Sequence, residues 1–187
     1  MTSPDDDVVA RGRQVIIRRK WLNDAVNEYA WRTDAELARL DAATPLRVPF
    51  DDYFRSWSLD LCLTDMGNRS FAIEDETGKH IGNVMYYNVD KSRREAELGI
   101  SLGDKASWGR SYGSDALATV ARYLFQGTDI RRLYLHTLDW NVRAQRAFAK
   151  AGFSVCGTSW RESQAYVVME VWRGRQVKAE GVKKALV

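Results

Sequence analysis

The spacing of apolar and polar positions changes along the chain, and the change predicts where strands give way to helices. Between Ser70 and Leu102, apolar residues alternate with polar ones, which is typical of half-buried strands. Between Ser114 and Phe125, apolar residues recur three and four positions apart, which is typical of an amphipathic helix. The middle of the chain is therefore predicted to be an antiparallel meander followed by a long helix.

The same two patterns, read with capping and chain-breaking residues, predict the order of all elements. Asp34 and Asp51 each precede a helical pattern as N-caps, and Met66-Gly67-Asn68 ends the helix that Asp51 starts. The predicted strands are residues 15–18, 70–74, 81–87, 96–102, 133–138, 154–157 and 165–172, and the predicted helices are residues 23–30, 34–40, a stretch from 51, 114–125 and 142–151. This order predicts an α/β (α+β) fold with a mixed, mostly antiparallel central sheet of about six to seven strands flanked by helices.

Composition places this fold in a single domain and excludes several classes of function. The 187 residues, 45% of them hydrophobic, suit one domain over residues 13–173, with a flexible N-terminus over residues 1–12 and a basic tail over residues 174–187. Neither a membrane-spanning run nor a signal peptide is predicted, so the expected location is cytoplasmic. The net charge of +3 is spread over scattered basic clusters, which makes nucleic acid an improbable partner.

The residues that most often bind metals are few. The chain contains two histidines, His80 and His136, so a histidine-based zinc site is improbable and no metal is expected. Cys62 and Cys156 have apolar neighbours in the sequence and are predicted to be buried thiols.

A glycine-rich loop between a predicted strand and the long helix is the first candidate for chemistry. Residues 108–114, here called the phosphate loop, read WGRSYGS and are followed directly by the apolar periodic segment. A helix N-terminus presents unpaired N–H groups and a partial positive charge, and Gly109 and Gly113 would let an anion approach the backbone. Arg110 adds a cation, and Ser111 and Ser114 add hydroxyl donors. The alternative is a glycine-rich turn that only caps a helix, and this segment alone favours neither.

The longer motif resembles a known family. Trp108-Gly109-x-x-Tyr112-Gly113-Ser114, with Asn141, Phe148 and Gly152-Phe153 downstream, is similar to the GNAT N-acetyltransferase superfamily, and most similar to its branch of ribosomal-protein N-terminal and spermidine acetyltransferases. The resemblance covers residues 13–173 and implies the acyl-CoA N-acyltransferase fold, with acetyl-CoA as co-substrate.

The resemblance also implies which residues bind coenzyme A. Two strands would diverge and leave backbone groups of Ile100, Ser101 and Leu102 free for the pantetheine amides, as an added strand would pair. Ser111 stands where the family has glycine. A serine N–H can still bind phosphate if its backbone angles stay helical, so we expect binding to survive. The implied coenzyme A-binding residues are Ile100, Ser101, Leu102, Trp108, Gly109, Arg110, Ser111, Tyr112, Gly113, Ser114, Asn141 and Arg146.

The catalytic roles are less completely specified by the sequence. Glu97 is the candidate base, directly or through water, and Glu95 alternates onto the same face of the strand; a surface position is the competing interpretation of Glu97. Many family members donate a proton from a tyrosine where this chain has Phe148, so Ser101, Tyr112 or a water would replace it.

The acceptor is predicted to contact Trp31, Asp34, Tyr86 and Trp160, although such aromatic residues are more often core. By resemblance, the first choice of acceptor is a protein or peptide N-terminal amine. A polyamine or aminoglycoside-like amine comes second, and an acyl-CoA-binding module without turnover is a different class that stays open. A donor such as succinyl-CoA and a homodimer also stay open.

Overall fold

The computed structural model describes residues 7–62 and 69–174. Its strands are β1 (Val8–Arg11), β2 (Val15–Arg18), β3 (Arg69–Asp75), β4 (His80–Asp90), β5 (Glu95–Ser101), β6 (Arg132–Leu138), β7 (Ser154–Arg161) and β8 (Gln164–Trp172). Its helices are α1 (Asp24–Thr33), α2 (Ala35–Leu40), α3 (Phe50–Cys62), α4 (Tyr112–Gly127) and α5 (Val142–Lys150), with a short 3-10 turn at Lys105–Ser107.

All strands belong to one sheet, in the order β1-β2-β3-β4-β5-β6-β8-β7. Neighbours run antiparallel throughout, except that β5 and β6 are parallel. The predicted fold class is confirmed, with eight strands where six or seven were expected. The additional strand is β1, which lies inside the segment predicted to be flexible; four residues are too few to show a period, and pairing with β2 supplies the order.

Helix α4 covers one face of the sheet and forms most of the core. Its apolar stripe, which includes Leu117, Val120 and Leu124, is fully buried against sheet residues such as Ile73 and Leu98. Full burial of one such side chain contributes roughly 1.5–3 kcal/mol. The helix is therefore fixed firmly, and with it the position of its N-terminus at residue 112.

A buried ion cluster attaches α1 to the opposite face of the sheet. Arg18 of β2 forms two hydrogen bonds to Asp24 at the start of α1, at 2.7 and 2.8 Å, and one to Glu74 of β3 at 2.6 Å. Burial works against both charges, but these bonds hold the pKa of Asp24 below its ordinary value. Removing one member would leave a buried charge uncompensated, so the cluster fixes where α1 lies on the sheet.

Two local predictions are corrected, one on the burial of the cysteines and one on the start of α3. Cys62 and Cys156 are both exposed, because Cys62 ends α3 and Cys156 lies on β7, the edge strand of the sheet, most of whose residues are exposed. Helix α3 begins at Phe50, so Asp51 lies within its first turn and is not its cap.

The predicted stop at residues 66–68 and the predicted tail from 175 onward lie outside the described residues. In the part of the chain that is described, no helix is long and apolar enough to cross a membrane.

Candidate active site

The sheet opens between its two parallel strands. β5 pairs with β6 only from Glu95 to Glu97, opposite Arg132 to Tyr134. Beyond that point β5 continues to pair with β4 and β6 with β8, so the facing edges of Leu98–Ser101 and Leu135–Leu138 have no strand between them. The structure thus contains the divergence that the resemblance implied. Unpaired strand edges of this kind are suited to an extended chain bearing amides.

A cavity of about 1060 Å³ occupies this opening. It extends from the phosphate loop and α5, past the point where the strands separate, to a wall formed by α1 and the segment from Leu37 to Thr44. Ile100, Ser101 and Leu102, the residues expected to bind the pantetheine amides, line it. The carbonyl of Leu102 accepts a hydrogen bond from Trp108 Nε1 at 2.8 Å, so that acceptor is already used.

Glu97 and His136 meet at the point where the strands separate, here called the vertex. Ala96 and Leu98 point into the core shared with α4, so the side chain of Glu97 lies on the opposite face and is 3% exposed. Glu97 Oε1 lies 2.7 Å from His136 Nδ1. Asn88 Nδ2 donates to Glu97 Oε2 at 2.9 Å, and the Tyr87 hydroxyl donates to Oε1 at 3.3 Å. Glu97 and His136 both line the cavity, and three donors hold the Glu97 carboxylate in place.

The surroundings of this pair keep its donors in place. Burial, followed by the nearby Glu97 carboxylate, raises the pKa of Tyr87 to about 12, so its hydroxyl stays protonated and donates. The other ring nitrogen of His136, Nε2, lies 3.0 Å from Arg161 Nη2 and lines the cavity with it. The vertex therefore combines a buried carboxylate, an imidazole and a guanidinium in one hydrogen-bonded row.

The phosphate loop places two residues in the left-handed region. Gly109 has φ of 76° and Ser111 has φ of 68°, with α4 starting at the next residue. Ser111 therefore does not have the helical angles that were the condition for its expected phosphate binding, because the turn before the helix start has a positive φ at this residue. Glycine reaches this conformation without cost, whereas serine does not. Ser114 lies just inside the helix, where its hydroxyl donates to the Ser111 carbonyl at 2.9 Å.

Basic side chains gather at the same end of the cavity. Arg143, Arg146 and Lys150 lie on α5, three and four residues apart, and all three line the cavity. Lys150 Nζ lies 2.7 Å from Ser111 Oγ, and the Arg143 guanidinium stacks 3.6 Å from the Trp108 ring centroid. These cations and the helix start fit a ligand with several phosphates. Arg110 is placed otherwise, beside the Tyr112 ring at 5.4 Å and outside the cavity lining.

The remaining coenzyme candidates divide into cavity residues and structural ones. Asn141 lines the cavity and also caps α5, because its Oδ1 accepts from the Ala144 N–H at 3.2 Å. Tyr112 lines it as well, but its hydroxyl donates to Glu76 at 3.1 Å and is not free to act as an acid. Phe148 is buried in the core, and Ser101 keeps a hydroxyl at the open edge of β5.

The acceptor end of the cavity differs from the one predicted. Trp31 lines it, with its ring tilted by 60° to the His80 ring at a centroid distance of 4.8 Å. It packs so tightly on Gly103 that a Cβ there would lie 1.9 Å from the indole. Asp34 instead caps α2 and pairs with Lys105 at 2.8 Å, and this bond lowers the pKa of its carboxyl. Tyr86 packs on Phe71 at a centroid distance of 6.3 Å, and Trp160 is 72% exposed. These three lie outside the lining, which instead includes Lys20, Glu28, Arg32, Asp41 and Tyr166.

Several lining residues have no strong signal in the sequence. His136 lies in a short strand and has neither an acidic residue nor a second histidine beside it in the sequence. Only its register on β6 brings it to Glu97, 39 positions away. Arg161 approaches from β7, a strand whose predicted end at residue 157 left it out. Arg143 and Lys150 could have been found, because their spacing from Arg146 places them on one helical face. Within the described residues, no group of three or more His, Cys, Asp or Glu could hold a metal ion.

Comparison with solved structures finds the same fold in several acetyltransferases. A spermidine N-acetyltransferase from Vibrio cholerae, in complex with CoA and spermine, is 19% identical and superimposes with a TM-score of 0.76 over 87% of this chain and 97% of that chain. An aminoglycoside acetyltransferase in complex with coenzyme A is 19% identical, with a TM-score of 0.73 over 86% and 96%. A GNAT-family acetyltransferase from Bacillus anthracis is 12% identical, with a TM-score of 0.72 over 87% and 97%.

Sequence comparison identifies the family independently of the fold. No curated protein matches the chain. The family model described as an acetyltransferase (GNAT) domain matches residues 14–154, which is more than half of the chain. This match confirms the resemblance to the GNAT family and the acetyltransferase class. The chain belongs to the GNAT acetyltransferase family.

Proposed function

We propose that this protein transfers an acetyl group from acetyl-CoA to the primary amine of a small molecule. The observation that carries the proposal is the buried pair of Glu97 and His136, 2.7 Å apart, at the vertex of a cavity whose far end is basic. The pair can accept the proton that an attacking amine must lose. The basic end can hold the phosphates of the donor.

The donor end fits coenzyme A in charge and in backbone geometry. Arg143, Arg146 and Lys150 surround the start of α4, where unpaired N–H groups favour an anion. The free edge of β5 leads from this end to the vertex, so an extended amide-bearing arm on that edge would present its terminus to Glu97 and His136. Acetyl-CoA supplies the thioester there, and this chain's residues hold it and accept protons.

The acceptor end supports a small amine over the protein N-terminus that the sequence resemblance put first. It is bounded by α1, the segment after α2 and the end of the hairpin of β7 and β8. Carboxylates of Glu28, Asp41 and Glu162 line it. Glu28 is paired with Lys20 at 2.8 Å, so Asp41 and Glu162 are the ones that would attract an ammonium group. Structural neighbours have been solved with spermine and with kanamycin, both small molecules bearing amines.

The leaving group needs little help from the protein. A thiol has an ordinary pKa near 8.5, so a thiolate can leave at neutral pH and take its proton from water. This agrees with Phe148 standing where many family members have an acidic tyrosine, and with the Tyr112 hydroxyl being bonded to Glu76. Ser101 is the hydroxyl at the open strand edge that could assist.

The test is a thiol-release assay with acetyl-CoA and a panel of acceptors. The panel contains monoamines, spermidine and spermine, aminoglycosides and short peptides with free N-termini. We expect a kcat/KM for at least one small amine on the order of ten times that for any peptide, equal to about 1.4 kcal/mol in transition-state binding. Mass spectrometry of the product should show a single added acetyl group.

Two results would contradict the proposal. Peptides acetylated faster than every small amine would restore the protein N-terminus as acceptor. Tight binding of acetyl-CoA, measured by calorimetry, with no acceptor-dependent release across the panel would indicate a binding module.

A further inference from the structure

We infer that Nε2 of His136 is the atom that takes the proton from the acceptor amine, and that Glu97 is a positioning residue that sets the tautomer of that ring. The inference rests on the proposed amine acetylation and assigns its proton transfer to an imidazole rather than to the strand carboxylate. It follows from the hydrogen bonds of the two side chains and from their different access to the cavity.

The partners of His136 determine which ring nitrogen carries the hydrogen. A guanidinium has donors and no acceptor, so His136 Nε2, 3.0 Å from Arg161 Nη2, must accept with its lone pair. A carboxylate has acceptors only, so Nδ1, 2.7 Å from Glu97 Oε1, must donate. The ring is therefore neutral, protonated on Nδ1 and basic on Nε2, and the basic atom is the one directed away from Glu97.

Glu97 itself is poorly placed to meet an amine. Its side chain is 4% exposed, against 11% for His136. Its oxygens already accept from His136, Tyr87 and Asn88, which leaves an amine one lone pair on Oε2, next to the Asn88 donor. His136 instead has one nitrogen committed to the protein and the other covered by Arg161, an exposed side chain at the end of β7. Moving a flexible arginine is the smaller rearrangement.

The groups around the imidazole come from five strands of the sheet. Glu97 faces it from β5 and Arg161 from β7. The ring of Tyr134 lies 5.9 Å away on β6, and that of Tyr166 lies 6.4 Å away on β8. Tyr87 of β4 reaches it through Glu97. Because Arg161 Nη2 lies 3.0 Å from Nε2, the lone pair of that nitrogen becomes available to an amine only where Arg161 is displaced.

The step conserves atoms and charge. The amine nitrogen forms a bond to the thioester carbon, and its proton passes to His136 Nε2 while Nδ1–H stays bonded to Glu97. The carbon–sulfur bond breaks, and its electron pair leaves with sulfur as the thiolate, which takes a proton from water. The imidazolium then releases its proton to water. The products are the acetamide and free coenzyme A, and the enzyme returns to its starting state.

The first experiment observes the tautomer directly and needs no turnover. The chain has only His80 and His136, so the ring nitrogens of 15N-histidine-labelled protein give two sets of signals, and those missing from His136→Gln belong to His136. We expect the neutral ring of His136 to carry its hydrogen on Nδ1, and Glu97→Gln to release that preference. A wild-type ring protonated on Nε2 would overturn the inference, whatever the acetylation assay shows.

The second experiment measures kcat and KM from about pH 5.5 to about pH 9.5, with the best acceptor of the panel. His136→Gln should lower kcat/KM on the order of 100-fold and abolish the acid limb of the profile. Glu97→Gln should lower kcat about tenfold, with the acid limb retained and the KM for the amine unchanged. Glu95→Gln is the matched control, two positions earlier on β5 and outside the cavity lining, and should keep the wild-type profile.

The opposite pattern assigns the base to Glu97. If Glu97→Gln loses the acid limb while His136→Gln keeps it, the carboxylate acts directly or through water. Failure of wild-type turnover concerns the proposed function alone, because the ring-nitrogen spectrum still decides the tautomer.

Discussion

Glu95 and Glu97 stand two positions apart on the same face of β5, yet they have different partners. Glu95 lies where β5 and β6 still pair, and its carboxylate meets Arg132 at 2.7 Å. Glu97 lies at the last paired position, and its carboxylate meets His136 at 2.7 Å, where the strands have begun to separate. One partner is a permanent cation and the other is an imidazole, whose second nitrogen can accept a proton. The point of strand separation thus divides a structural carboxylate from one suited to proton transfer.

On the side of the junction where β5 and β6 pair, here called the closed side, a bridge of three charged residues holds the strands together. The side where the two strands have separated is called the open side. Arg132 contacts Glu95 Oε2 and Glu170 Oε2, each at 2.7 Å, and so joins β5, β6 and β8. Burial alone would lower the pKa of Arg132, but the two carboxylates raise it well above its ordinary value. A charge that never titrates in the working range can hold strands together but cannot relay protons.

The largest expected effect comes from removing the shared cation. Arg132→Met keeps most of the apolar stem and leaves Glu95 and Glu170 without their partner, which we expect to lower the free energy of unfolding by about 3 kcal/mol. Urea denaturation at pH 7 measures the change. Arg131→Met, at the exposed neighbouring arginine, should change stability by less than about 0.5 kcal/mol. A pH–rate profile altered in Arg132→Met while its stability is intact would contradict the division between the two sides.

A second prediction replaces the imidazole partner of Glu97 with a permanent cation, the kind of partner that Glu95 has. His136→Lys gives Glu97 a permanent cation, and it is made with Arg161→Gln because Arg161 Nη2 lies 3.0 Å from the ring nitrogen it replaces. Compared with Arg161→Gln alone, kcat/KM should fall on the order of 100-fold, or about 2.7 kcal/mol, because no neutral base remains at the vertex at pH 7. The thiol-release assay measures it. Activity close to that of Arg161→Gln would show that a titratable partner is not what distinguishes Glu97 from Glu95.

The sequence predicts the two sides of the junction unequally. Elements with a clear period, such as the meander and α4, were predicted, and so was the cap Asp34, which depends on sequence neighbours. His136 and Arg161 were missed because their importance arises from register between strands distant in the chain. The acceptor candidates Asp34, Tyr86 and Trp160 were chosen by residue type, which does not indicate the direction of a side chain. The partners of Glu97, which are His136, Tyr87 and Asn88, likewise come from neighbouring strands that only the sheet topology brings together.

A third prediction concerns the outer end of the open side, where the phosphate loop contains Gly109 and Ser111 at positive φ. Gly109→Ala adds a Cβ with no atom within 4 Å, so its expected cost of about 1 kcal/mol is the backbone cost alone. Ser111→Gly should stabilise by about 0.5 kcal/mol, since relief of the backbone strain exceeds the added freedom of the unfolded chain. Thermal unfolding measures both variants. If Ser111→Gly is less stable than wild type, the hydrogen bond from Lys150 to the serine hydroxyl contributes more to stability than the backbone strain removes.

The smallest expected effect is a loss of stability at acid pH that comes from the Arg132 bridge on the closed side. Burial opposes ionisation of Glu170, but hydrogen bonds from Trp172 and Arg132 hold its pKa below the ordinary value. Because the folded pKa is the lower one, its stabilisation is present above the unfolded value near 4.3 and is lost as pH falls through the folded pKa. Glu170→Gln should therefore be less stable than wild type at pH 7, by under about 1 kcal/mol for this partly exposed pair. Urea denaturation at pH 7 and near pH 3 should show the difference shrinking; a difference unchanged by acid would mean that the bridge is held by shape and not by charge.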